Sequence, residues 1–127
     1  MTRLLKRALA GVTITSTLLL SSCGLFKDQR AAANEFFDVL ATDVAAAYEL
    51  TSPEFQAVTT LEDLQYIVDM NPQMQDVADL SFNSMEMENS YTELYGHVTY
   101  GDGIRETIGV YLVNSDQWRV SGFETGI

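Results

Sequence analysis

Hydrophobic positions change period once along this chain. Between Gln29 and Met70 apolar residues recur at three- and four-residue spacing, the mark of helices with one wet face. The first run, to Ala41, places Ala33, Phe36, Phe37 and Leu40 on one stripe. Thr42-Asp43 interrupts it, and Val44, Ala47 and Tyr48 continue to about Leu50. Ser52-Pro53-Glu54 is a start signal, a capping side chain followed by proline at the first helical position, and it opens a short helix carrying Phe55 and Val58. Thr60-Leu61-Glu62-Asp63 resembles a capping box, with Asp63 where Glu or Gln is usual. The helix after it is expected to bury Leu61, Leu64, Ile67 and Val68 and to stop before Asn71-Pro72. Gln73 to Asp79 has no clear period and reads as a crossing loop.

From Leu80 the pattern alternates. Leu80 and Phe82 share one parity and Met85 and Met87 the other, so a bulge near Asn83-Ser84 is needed to keep one buried face. Thr92, Leu94, Gly96, Val98 and Tyr100 then form one face of a second strand, against Tyr91, Glu93, Tyr95, His97 and Thr99 on the other. Ile104, Ile108, Val110 and Leu112 are in phase in a third, and Trp118, Val120 and Gly122 in a fourth. A one-residue slip would move every side chain to the wrong face, so parity tests register. A three-residue loop at 101–103 pairs Gly96 with Ile108 and Leu94 with Val110, with Gly103 as the left-handed residue. The same reasoning at 114–116 pairs Leu112 with Trp118 and Val110 with Val120. The expectation is an α+β fold, with N-terminal helices covering one face of an antiparallel meander.

The N-terminus has a different character. Arg3, Lys6 and Arg7 precede an apolar and small-residue run, Leu9 to Leu20. At about a dozen residues it is too short to cross a hydrocarbon core that needs about 20. It ends in Leu20-Ser21-Ser22-Cys23, which resembles the lipobox of bacterial lipoproteins. That resemblance implies diacylglycerol transfer to the Cys23 thiol, cleavage after Ser22 and further acylation, palmitate-type chains included. Cys23 is the only cysteine, so no internal disulfide competes for it. The chain therefore divides into a signal peptide (1–22), a lipidated cysteine with a short tether (23–28) and one domain (29–127).

Charge then narrows the partners. All 18 acidic residues follow Cys23, against Lys27, Arg30, Arg105 and Arg119, which leaves about −14 on the roughly 104 residues after it. Such a surface is repelled by phosphate backbones and anionic lipid, so nucleic acid is not an expected partner and the membrane link rests on lipid. The expected location is exported and membrane-anchored: the outer membrane facing the periplasm in a Gram-negative envelope, the outer face of the plasma membrane in a Gram-positive one.

Glu35-Phe36-Phe37-Asp38-Val39-Leu40, Asp43-Val44-Ala45-Ala46-Ala47-Tyr48, Thr51-Ser52-Pro53-Glu54-Phe55 and the closing Asp116-Gln117-Trp118-Arg119-Val120-Ser121-Gly122-Phe123 carry a second resemblance. Together they resemble the nuclear transport factor 2-like superfamily, whose helices pack on a curved antiparallel sheet to make a cone, and within it small lipoproteins of unknown function. The fold hosts enzymes, ligand binders and interaction modules alike. Superfamily isomerases and dehydratases place Asp, His and Tyr groups inside the cone. Here Glu106 is the one inward ionisable residue of the two central strands, with Val98 and Glu124 as expected neighbours. It is the candidate base of a cavity reading, with Tyr48 and Tyr66 as donors. His97, the only histidine, falls on the outer face without the further ligands a metal site requires, and no cofactor motif appears. Met70, Met74, Met85 and Met87 are expected to fill space under the crossing loop.

The outer face is the richer surface. The expected register presents Tyr91, Tyr95, His97, Tyr111, Val113 and Phe123 there, with Gly109 leaving a gap and Tyr111 opposite Arg119 as a cation–π pair. Tyrosine with arginine is the composition of a contact surface, and superfamily relatives often dimerise through it. The sequence thus favours a non-catalytic binding or interaction domain, with a homodimer or another envelope protein as partner. The alternative is a small-molecule binder or isomerase- or dehydratase-like enzyme using the cone.

Overall fold

The computed structural model describes residues 28–127; the expected signal peptide, Cys23 and most of the expected tether lie outside the described residues. Four helices come first: α1 (28–40), α2 (Val44–Tyr48), α3 (Pro53–Val58) and α4 (Leu61–Met70). Each of the last three starts where a side chain satisfies an orphan backbone donor. The carboxylate of Asp43 accepts from the Ala46 amide, the hydroxyl of Ser52 from Phe55, and Thr60 and Asp63 complete a reciprocal capping box. Such caps contribute about 1 kcal/mol each.

Four strands follow, β1 (Val77–Glu88), β2 (Tyr91–Tyr100), β3 (Arg105–Asn114) and β4 (Trp118–Thr125), in the antiparallel order β1-β2-β3-β4. The β2–β3 register is the expected one, with Gly96 opposite Ile108, Leu94 opposite Val110, and Gly103 at φ 90°. The β1 bulge falls between Phe82 and Ser84, which returns Met85 to the face of Leu80 and Phe82. At Gly96 a Cβ would lie 1.9 Å from the Ser81 carbonyl oxygen, so only glycine allows β1 to approach β2 this closely.

Several expectations need correction. Pro72–Gln75 is a 3₁₀ turn with Met74 buried beneath it, and β1 already begins at Val77. A register shift between Val77 and Asp79 hides that start from a parity reading. The β3–β4 loop is 115–117, because Asn114 pairs with Trp118, and Leu112 therefore faces Val120 and not Trp118. A second shift follows at once: Tyr111 pairs with Gly122 and Val110 with Phe123, so Ser121 is the extra residue of a bulge. Val58, Leu61, Met70, Tyr66 and Ile104 are exposed, since among the described residues no further layer covers the short helices or the β2–β3 turn.

The core lies between the helices and the inner sheet face. Phe36, Leu40, Leu64 and Val68 from the helices meet Leu94, Val98, Ile108, Val110, Leu112 and Val120, all at most 1% exposed. Phe123 joins them through β4's bulge, its ring 5.7 Å from both Phe36 and Phe37. Thr51 bridges to Val120 in parallel, and the flanking amides and carbonyls of Leu50, Ser52 and Val120 exchange bonds, so the helical layer is sewn to the β4 edge. Among the described residues no helix is long and apolar enough to cross a membrane.

Candidate functional site

Two surfaces compete for function: the cone interior around Glu106, and the outer sheet face. In the interior, Glu106 pairs with Val98 as expected and accepts a 2.6 Å hydrogen bond from the Tyr100 hydroxyl. Burial, and then that bond, push the Tyr100 hydroxyl well above its usual value of 10, because ionisation would place a second negative charge beside the carboxylate. Five clefts of about 230 to 460 Å³ among the described residues are lined by other side chains and not by Glu106. Glu124 is not its neighbour: the bulge at Ser121 turns Glu124 outward, opposite Gly109. Tyr48 donates to the Thr59 carbonyl at 2.7 Å, which ties α2 to the end of α3, while Tyr66 is exposed on α4.

The outer face can be read in rows across the four strands. Glu88, Tyr91, Val113 and Arg119 form one; Glu86, Glu93, Tyr111 and Gly122 the next; Ser84, Tyr95, Gly109 and Glu124 the third. His97 follows, half-buried between Ser81 and Thr107. The Tyr95 and Tyr111 rings meet edge to face at 6.2 Å. Each donates its hydroxyl to a carboxylate, Tyr95 to Glu93 at 2.5 Å and Tyr111 to Glu124. The environment raises all three tyrosines above 10. For Tyr95 the leading cause is the bond to Glu93; for Tyr91 it is burial, then the Glu93 charge; for Tyr111 it is burial, then the bond to Glu124.

Of the expected interface residues, Tyr91, Tyr95, His97 and Tyr111 share this face. Phe123 does not; the β4 bulge carries it inward. Arg119 stands opposite Val113 and makes no pair with Tyr111. Its guanidinium binds Asp116 at 2.8 Å and 2.9 Å and the Glu49 carbonyl at 2.6 Å. The acids Glu86 and Glu124 are what sequence reasoning missed. Glu86 shows itself only once β1 is registered on β2, and Glu124 only once the bulge is known. Among the described residues, no group of three or more metal-binding side chains converges.

Neither a family model nor a curated protein sequence matches the chain. Among solved structures it is similar to a candidate NTF2-like transpeptidase from Campylobacter jejuni. The match has 14% identity and a TM-score of 0.50, and covers 72% of this chain and 94% of that one. At that identity the likeness speaks to architecture alone, and it agrees with helices packed on an open four-stranded antiparallel sheet. The fold of this chain is nuclear transport factor 2-like.

Proposed function

We propose that this chain is a membrane-anchored lipoprotein whose domain is a non-catalytic binding or protein-interaction module working through its outer sheet face. The anchoring half of the reading rests on the cationic start, the short apolar run and Leu20-Ser21-Ser22-Cys23. One observation carries the other half. The inner face that holds ligands in a hollow cone is consumed here by packing, with Phe36, Leu40, Leu94 and Val110 at most 1% exposed and Trp118 packed against them. Glu106 itself accepts from Tyr100, a member of that packed core. The face left over is aromatic and solvent-reachable, with Tyr91 at 37% exposure. Tyrosine offers large contact area at small cost in side-chain entropy, which suits a binding surface.

The test is position-resolved photo-cross-linking in the host cell. A photoreactive residue at Tyr95 or Tyr111 is expected to give higher-mass adducts, and the same residue at Tyr66 on α4 to give none. An adduct of twice the chain mass identifies a second copy; any other mass identifies a different envelope protein. Absence of adducts at both sheet positions overturns the reading.

A further inference from the structure

We propose that the outer sheet face docks an extended, arginine- or lysine-bearing polypeptide segment, laid across the strands over Tyr95 and Tyr111. The inference rests on the outer face being the working surface, and goes on to name the chemistry of its partner. Three observations choose a cationic occupant. First, the two central tyrosine rings are flanked by acids on both sides, Glu86 and Glu93 toward β1 and Glu124 on β4. Second, Glu86 and Glu93 are direct cross-strand partners, an arrangement in which like charges repel and cost stability. Third, no cation on the described part of this face neutralises them. Arg105 sits beyond His97 opposite Thr99, and Arg119 is committed to Asp116 and Glu49 at the other edge.

The same charges argue against a second copy as occupant. Stacking two such faces would bring acids against acids on chains that each carry about −14 after Cys23. A guanidinium or ammonium group gains twice here, from the carboxylates and from the faces of Tyr95 and Tyr111. Geometry sets a spacing. Glu86 and Glu124 stand on the outermost strands, three inter-strand steps and one row apart, or about 15 Å. That matches basic residues four or five apart in an extended segment at about 3.3 Å per residue.

The test uses the full chain in neutral detergent and a fluorescent peptide of about twelve residues, glycine and serine except for arginines four apart. Anisotropy is expected to show saturable binding that weakens as salt rises. Replacing both Glu86→Gln and Glu93→Gln is expected to weaken it at least about tenfold. The charge-matched control Glu35→Gln with Asp38→Asn, on the exposed side of α1, is expected to stay within about twofold. Equal weakening by the two pairs would reduce the effect to net charge and overturn the proposal, as would absence of binding at low salt. If the peptide fails while cross-links at Tyr95 persist, the interaction face stands and its cationic partner falls. If cross-links fail too, the interaction face falls with it.

Discussion

Phe123→Ala asks whether the bulge at Ser121 exists, and the answer has a size. With the bulge, Phe123 lies opposite Val110 and packs its ring 5.7 Å from Phe36 and from Phe37. Truncating a fully buried phenylalanine costs about 3–5 kcal/mol. Phe123 is half-buried, so the transfer and cavity part falls to about half of that range. Measured truncation costs already contain lost ring contacts, so the two aromatic contacts place Phe123 at the upper end of that halved range, at about 2–2.5 kcal/mol. For a domain of this size that is a fall in Tm of roughly 10–20 °C, or about 1–2 M in the urea midpoint. Without the bulge Phe123 would stand on the outer face, where truncation costs within about 0.5 kcal/mol. Melting of the full chain in neutral detergent, followed by circular dichroism with Tyr91→Ala as a surface control, separates the two. A Phe123→Ala shift no larger than that of the control would refute the register.

Other outcomes follow from the same contacts. Gly96→Ala is expected to cost about 3 kcal/mol or more in urea unfolding, because the added Cβ meets backbone and not a side chain that can yield. Thr60→Ala removes half of the capping box and is expected to cost about 1 kcal/mol by the same assay. The Tyr100 hydroxyl ionises with more difficulty folded than unfolded. Its contribution is therefore complete below the unfolded value of 10 and is lost as pH rises toward the folded one. Urea midpoints between about pH 8 and 11 should fall at the alkaline end, and Tyr100→Phe should flatten that fall; an unchanged slope would disprove the assignment.

How much of this was legible in the sequence depended on whether a local signal marked each decision. Gly101-Asp102-Gly103 lies between two clean alternations, and the β2–β3 register follows from it residue by residue. Ser52-Pro53 and Thr60 to Asp63 carry their caps in residue type, and both caps form. By contrast, Asn114 to Gln117 is uniformly polar, so the loop could be set one residue early, and Ser121 is an ordinary strand residue that gives no sign of being extra. That one bulge exchanges Phe123 and Glu124 between faces, which hid both a core aromatic and an acid of the candidate site. The exposure of Val58 and Leu61 shows a further limit: periodicity locates a helix face, but not whether anything packs on it.

The proposed anchoring of this domain at a membrane surface rests on one residue, Cys23. The most direct test is the intact mass of the full chain recovered from membranes of its own host. The expected result is a chain lacking residues 1–22 and carrying a diacylglycerol thioether on Cys23, with Cys23→Ser left unprocessed and unlipidated. A membrane-extracted chain that keeps residues 1–22, or one cleaved elsewhere with Cys23 as a free thiol, would contradict it.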